Sequence, residues 1–133
     1  MTRSEEILKY SLLAGSVYFS CMALAHYFGE KAPLLFVYYD VPSNHYQDLI
    51  ISFCAVAYAA FAYAAARNRS VVPPFLLAMT FVVLGLANIN ASEYLGSMMP
   101  EGATTVPYWI QTGLIATYVA WLGIFYVKSM KAG

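Results

Sequence analysis

Charged residues are scarce in this sequence, and their scarcity excludes most classes of soluble protein. Asp, Glu, Lys and Arg together make up 11% of the 133 residues, less than half of the roughly 25% typical of globular domains. The net charge is zero and no basic stripe occurs, which argues against nucleic-acid binding. Two cysteines are too few for a disulfide-stapled secreted module. A content of 61% hydrophobic residues excludes a disordered chain.

What the sequence has instead is four long uncharged runs, at 10–29, 49–66, 70–92 and 102–127. A helix rises 1.5 Å per residue, so about 20 apolar residues cross a hydrocarbon layer of about 30 Å. We therefore predict an all-α, integral membrane four-helix bundle that forms a single domain over residues 1–133. The spans are expected at about 10–28, 49–66, 75–89 and 108–127.

The positions of the charges predict the orientation of the bundle. Six of the seven basic residues lie at the N-terminus, between spans two and three, and at the C-terminus: Arg3, Lys9, Arg67, Arg69, Lys128 and Lys131. Five of the seven acidic residues lie in the first and third connections: Glu30, Asp40, Asp48, Glu93 and Glu101. Because basic loops favour the cytoplasmic side, both termini are predicted to be cytoplasmic. The default location is a bacterial inner membrane.

The first connection contains an apolar and aromatic stretch, 34–39, between Pro33 and Pro42. It is too short to cross a bilayer, but its aromatic residues suit the membrane interface. We predict an interfacial segment at about 33–42 that caps the extracytoplasmic side of the bundle. The third connection, 90–106, carries Gly96, Pro100 and Gly102 and is expected to be a loop.

Small residues recur at helical spacing on two spans and predict packing faces, because small side chains let membrane helices approach closely. The predicted helix-packing residues are Ala55, Ala59, Ala62 and Ala66 on span two, and Gly113, Ala116, Ala120 and Gly123 on span four. Spans two and four are therefore expected to make the tightest contacts. Cys21 and Cys54 lie inside apolar runs and are expected to behave as small hydrophobic residues.

Residues able to do chemistry are predicted to gather at the extracytoplasmic mouth. The catalytic candidates are His26, His45, Asp48 and Glu93, and the metal-ligand candidates are His26, His45, Asp40, Asp48 and Glu93. Histidine and carboxylate ligands suit zinc, iron or copper, although no short ligand spacing is present. The same groups also suit acid–base or hydrogen-bonding work on a small molecule or lipid headgroup. A third interpretation is purely structural: helix caps and interfacial side chains.

The bilayer centre is predicted to hold no ionisable group of the kind that carries protons or couples ions, so a channel or coupled transporter is disfavoured. Aromatic stripes on spans two and four suit a groove for a quinone, a pigment, a sterol-like lipid or another protein's helix. No cofactor is assigned from the sequence.

Two functional hypotheses follow. The leading one is an accessory or structural subunit of a larger membrane complex, without catalytic activity of its own. Its partners would be the lipid bilayer and other membrane helices, and not nucleic acid. The alternative is a membrane enzyme or a protein that binds a small ligand (a metal, a quinone or a lipid) through a histidine–carboxylate site at the extracytoplasmic mouth.

Overall fold

A computed structural model describes residues 1–131 of the chain. It contains five α-helices: α1 (Arg3–Phe28), α2 (His45–Arg67), α3 (Val72–Asn90), α4 (Glu93–Met98) and α5 (Val106–Lys131). Four of them are long and apolar enough to cross a membrane, whereas α4 has only six residues. No strand occurs in this part of the chain. The predicted all-α four-helix bundle is confirmed, and its apolar helices fit a small membrane protein.

α1 begins before the first uncharged run because capping residues, and not hydropathy, determine its start. α1 begins at Arg3, since Thr2 and Glu5 form a reciprocal capping box in which the Thr2 amide donates to Glu5 Oε2 at 2.7 Å. It ends at Gly29, which adopts a left-handed φ of 70° that glycine accommodates without strain. Pro73 and Pro74 occupy the first turn of α3, where the missing amide hydrogen of proline costs no hydrogen bond.

The spanning helices are arranged in the order α1, α2, α3, α5 around the bundle, so α2 and α5 lie on a diagonal and their backbones do not approach closely. The expected tight contact between the second and fourth spans is therefore wrong. The small-residue face of α2 packs on α1 instead: Ala55, Ala59 and Ala62 are buried, and Ser16 Oγ donates to the Ala59 carbonyl at 2.8 Å. Ala66 is half-buried.

None of the small residues predicted to pack on span four is buried within residues 1–131. Gly113 and Ala120 are exposed, and Ala116 and Gly123 are half-buried. A Cβ atom added at Gly113 or Gly123 would meet no atom within 4 Å. The close approach of α5 occurs instead at Gly15 of α1, where an added Cβ would overlap Tyr118 Oη. A large side chain on α5 thus fits against a glycine on its neighbour, which is the reverse of the expected small-residue face on α5.

Both ends of α1, α2, α3 and α5 can be assigned to one of two sides of the bundle. Arg69, after α2, lies 3.4 Å from the Glu5 carboxylate and 5.9 Å from the centre of the Tyr126 ring. The two termini and the α2–α3 turn therefore share one end, the terminal end. The connections 29–44 and 91–105 lie at the opposite end, the loop end. We call the half of the bundle next to the terminal end the terminal half, and the half next to the loop end the loop half.

The apolar core lies in the terminal half and the mid-section of the bundle. It is formed by residues from all four long helices: Leu8, Leu12, Phe19, Ala59, Ala62, Ala65, Val72, Phe75, Met79 and Leu122. Large apolar side chains also cover the outer surface, where Val17, Phe53, Leu77 and Phe81 are exposed. In water such a surface is a liability, but it suits contact with lipid tails.

Candidate functional site: a capped cavity in the loop half

The loop half of the bundle encloses a cavity of about 730 Å³. All four spanning helices, α4 and the segment 33–42 contribute to its wall. Along α1 the wall runs from His26 down to Ala14, which corresponds to a depth of roughly 18 Å. This volume lies within the range of about 300–1,000 Å³ that small-molecule sites occupy.

The cavity exists because the helices meet closely at the terminal end and are held apart at the loop end. α2 and α3 are joined by a short turn, and the Phe61 and Phe75 rings pack edge to face nearby, with centroids 5.4 Å apart. At the loop end the connections are long. Val82 and Leu86 of α3 are half-buried there, and they line the cavity instead of packing in the core cluster. The wall is almost entirely apolar, so a ligand with hydrocarbon character fits it.

The segment 33–42, which we call the cap, covers the loop end of this cavity, as the sequence predicts. Tyr18 Oη of α1 donates to the Leu34 carbonyl, and the Lys31 ammonium donates to the Val41 carbonyl at 2.8 Å. Val41 packs with Leu95 of α4 and Tyr108 of α5. The cap consists of turns and bends, so these side-chain contacts hold it in place.

A chain of hydrogen bonds ties the cap to α3 and α5. Tyr38 Oη donates to Asn90 Oδ1 at 2.9 Å, and Asn90 Nδ2 donates to Thr112 Oγ1 at 2.9 Å. Thr112 Oγ1 in turn donates to the Tyr108 carbonyl at 2.9 Å. Burial, and secondarily the neighbouring Tyr108, raises the pKa of Tyr38 to about 12. Tyr38 therefore stays neutral and acts as a donor across the whole physiological range.

Two of the predicted site residues, His26 and Asp48, come together beneath the cap. His26 lies in the last turn of α1 and Asp48 in the first turn of α2, and both line the cavity. Their side chains are 5% and 7% exposed, and His26 Nδ1 lies 3.6 Å from Asp48 Oδ1. This distance is too long for a hydrogen bond. The long contact between α1 and α2 is what brings the two residues face to face.

The histidine–carboxylate pair is incompletely bonded although it is buried. His26 Nδ1 and Asp48 Oδ1 have no hydrogen-bond partner among residues 1–131, whereas Asp48 Oδ2 accepts a bond from Ser43 Oγ at 2.9 Å. The Phe36 ring of the cap stacks on His26 with a centroid distance of 3.9 Å. More than nine in ten buried polar groups in proteins are hydrogen-bonded, so two such atoms side by side on a cavity wall mark a candidate binding site.

Gln111 of α5 is a second polar group on the cavity wall. It is 6% exposed, and its Oε1 atom is buried without a hydrogen-bond partner. The sequence shows only one amide towards the loop end of the last span and does not indicate that it faces inward. Gln111 therefore enters the candidate site from the structure alone, together with the stacking residue Phe36.

The remaining predicted site residues do not join this group. His45 is the first residue of α2, Glu93 is the first residue of α4, Asp40 lies in the cap, and all three are exposed and outside the cavity wall. Across residues 1–131, no three His, Cys, Asp or Glu side chains come close enough to hold a metal ion. The five predicted metal ligands are thus not assembled, because the cap and α4 place Asp40 and Glu93 outside the mouth.

No protein-family model, curated protein or solved structure matches this chain.

Proposed function

We propose that this membrane protein binds a neutral, lipophilic small molecule in the cavity of its loop half. The hydrocarbon part of the ligand lies against the apolar wall, and a carbonyl or hydroxyl head group lies at His26 and Asp48. The observation that carries the proposal is a cavity of about 730 Å³ whose wall holds a buried, incompletely bonded histidine–carboxylate pair. An apolar pocket with a few convergent polar groups is the usual form of a small-molecule site.

The chemistry of the pair favours a neutral head group. The Asp48 carboxylate would repel an anionic head, and burying a second charge in an apolar cavity is costly. The neutral imidazole of His26 has one N–H donor and one acceptor nitrogen, and no hydrogen bond to Asp48 fixes which ring nitrogen carries the proton. Its Nε2 can therefore donate to a ligand carbonyl or accept from a ligand hydroxyl. Quinones, quinols and neutral glycerolipids all have heads of this kind.

Binding alone is proposed, and no reaction on the ligand. The cytoplasmic location of the termini and the bacterial inner membrane stay predictions from the charge distribution. In that orientation, the head-group site would lie near the outer face of the membrane. The role of accessory subunit also stays a prediction from the sequence.

The test is equilibrium binding of two probes, a short-tailed benzoquinone and a monoacylglycerol, to the purified protein in lipid nanodiscs. His26→Ala and Asp48→Asn should each raise the dissociation constant of the probe about tenfold or more. Each substitution removes one partner of a hydrogen bond to a charged or polarised group. His26→Gln retains a polar side chain and should therefore lose less binding affinity than His26→Ala. The two probes distinguish a quinone-like ligand from a neutral lipid.

His45→Ala is the matched control, because His45 is exposed and outside the cavity wall. It should bind both probes as the unmodified protein does. The proposal fails if neither probe binds, if His26→Ala and His45→Ala behave alike, or if an alkylammonium amphiphile binds more tightly than both neutral probes. Thermal unfolding of each variant separates lost binding from lost structure.

A further inference from the structure

We infer that the ligand carries two oxygen-bearing groups on opposite sides of one ring, as a para-hydroquinone or its quinone does, and that Gln111 binds the second group. This inference rests on the proposed function, in which the first group lies at His26 and Asp48. It follows from a buried amide on another wall of the cavity that no part of the protein bonds completely.

Gln111 is a buried cavity-wall residue with an unbonded acceptor. It is 6% exposed, and its Oε1 atom has no hydrogen-bond partner among residues 1–131. The buried amide of Asn90, in contrast, uses both of its polar atoms in bonds to Tyr38 and Thr112. An unbonded buried acceptor is costly, because it has lost water without gaining a partner. A ligand in the cavity is the group that can complete the bonds of Gln111.

Gln111 lies at a depth similar to that of the histidine–carboxylate pair but on a different wall. His26 is two residues from the end of α1, Asp48 three from the start of α2, and Gln111 five from the start of α5. α2 and α5 lie on a diagonal of the bundle and their backbones do not approach closely. A ligand that bonds to the pair and to Gln111 therefore needs two polar groups, one directed to each wall.

A ring with two para oxygens has polar groups arranged in this way, because they point in opposite directions from a flat, apolar unit. The oxygens of a monoacylglycerol instead lie together at one end of the molecule, on the side of the pair. Aromatic side chains on the cavity wall also suit a flat ring. Phe19 and Tyr58 both line the cavity, and their ring centroids are 5.5 Å apart.

The amide of Gln111 suits both oxidation states of such a ring. Its Oε1 atom accepts from the hydroxyl of a hydroquinone, and after rotation of the amide its Nε2 atom donates to the carbonyl of a quinone. The two forms therefore belong to one ligand class for this site.

The experiment compares two probes that differ by one hydroxyl group, an alkyl para-hydroquinone and the matching alkylphenol. Both are bound to the full chain in lipid nanodiscs under reducing conditions. The single hydroxyl of the phenol is expected at Asp48, because a bond to a carboxylate is stronger than a bond to a neutral amide. The quantity measured is the ratio of the two dissociation constants. Its change on substitution does not depend on how each probe partitions into lipid.

Gln111→Met keeps the length of the side chain and removes its hydrogen-bonding atoms. It should weaken binding of the hydroquinone about three- to tenfold and binding of the phenol less than about twofold. Gln47→Met is the matched control, since Gln47 also lines the cavity but is exposed. It should change the ratio less than about twofold.

An unchanged ratio in Gln111→Met would overturn the inference, whether both probes bind normally or both lose the same affinity. His26→Ala separates this failure from failure of the proposed function, because it should weaken both probes about tenfold or more. If both probes depend on His26 and the ratio does not change in Gln111→Met, only the second contact is wrong. If neither probe binds, the proposed function and this inference fail together.

Thermal unfolding gives a readout that a structural role of Gln111 would move in the opposite direction. Without ligand, Gln111→Met should unfold at the same temperature as the unmodified protein or at a higher one, because it removes an unbonded buried acceptor. The hydroquinone should raise the unfolding temperature of the unmodified protein more than that of the variant. A ligand-free variant that unfolds at a lower temperature would show that the amide serves the fold, and would overturn the inference.

Discussion

The terminal half and the loop half of this bundle are built from the same four helices but differ in what fills the space between them. In the terminal half, side chains from all four helices interlock, and Leu12, Phe75 and Leu122 are at most 1% exposed. In the loop half, the same helices enclose a cavity of about 730 Å³. Helix packing in a membrane relies on van der Waals contact, since lipid removes most of the hydrophobic driving force. The terminal half therefore holds the bundle together.

Buried polar side chains are concentrated in the loop half instead. In the loop half, Tyr38, Asn90 and Thr112 form a continuous hydrogen-bonded chain, and His26 and Asp48 lie on the cavity wall. A cap that is bonded by a few polar contacts over an unfilled space suits a binding site, whereas a densely packed half does not. Dense packing and the candidate site are therefore separated along the axis of one small bundle.

The largest expected effect comes from a matched pair of leucine truncations in the two halves. Leu122→Ala opens a space in the packed core and should lower the free energy of unfolding by about 2–5 kcal/mol. Leu86→Ala removes a side chain that already faces the cavity and should cost less than about 1 kcal/mol. Reversible unfolding in mixed micelles measures both. Equal losses in the two variants would mean that the loop half contributes as much packing as the terminal half.

A second prediction concerns the contact between α1 and α5. Gly15→Ala should destabilise the protein by about 1–3 kcal/mol, because the new Cβ would overlap Tyr118 Oη and force that ring away. The ring cannot move freely, since Tyr118 Oη donates to the Ser11 carbonyl at 2.9 Å. The same unfolding assay reports the change.

Gly113→Ala is the control for this variant, because nothing lies within 4 Å of a Cβ added there. It should be neutral or slightly stabilising, since alanine favours the helix. A large loss in Gly113→Ala would show that this surface of α5 is covered by another molecule in the membrane.

The smallest expected effect is local to the cap. Tyr38→Phe leaves the buried Asn90 Oδ1 atom without its donor and should weaken cap closure by about 1–2 kcal/mol. The measurement is hydrogen exchange of the Val41 amide, which donates to the Tyr38 carbonyl and should exchange faster in the variant. Tyr39→Phe is the control, because the Tyr39 hydroxyl makes no hydrogen bond to the described residues. Unchanged exchange in Tyr38→Phe would show that the hydroxyl does not hold the cap.

The pH dependence of cap closure follows from the same residue. The pKa of Tyr38 rises from 10.0 to about 12 on folding, so the neutral phenol is the form that the closed cap favours. Its contribution is fully present below pH 10 and is lost as the pH rises towards 12, because phenolate forms more readily in the open state. Amide exchange in the cap should accelerate over that interval, and Tyr38→Phe should lack this component.

Part of the candidate site was predictable from the sequence, and the reason is local. His26 lies near the end of the first uncharged run and Asp48 directly before the second, so their position at one end of the bundle follows from chain order. The sequence does not reveal that these two face each other while His45, only three residues from Asp48, is exposed. That difference depends on the rotation of α2 about its axis, which its contact with α1 determines.

Other features were wrongly predicted or missed because they depend on pairs of distant residues. The small residues of α5 share the spacing of those on α2, and only the arrangement of neighbours decides that one set is buried and the other is not. α4 was expected to be loop. It is a single short helix, capped by Ser92 and anchored by the buried Leu95, whose packing against Val41 and Tyr108 is not encoded locally.

By itself, the sequence determined the class of this protein: four apolar helices, two termini and one turn at the same end, and an aromatic cap at the other. These follow from hydropathy and from the order of charged and uncharged segments, which are properties of contiguous residues. The tertiary structure alone decided that the loop half holds a cavity and that His26, Asp48 and Gln111 line it. These features depend on the distances between the helices and on the rotation of each helix about its axis. Contacts between side chains that are distant in sequence determine both.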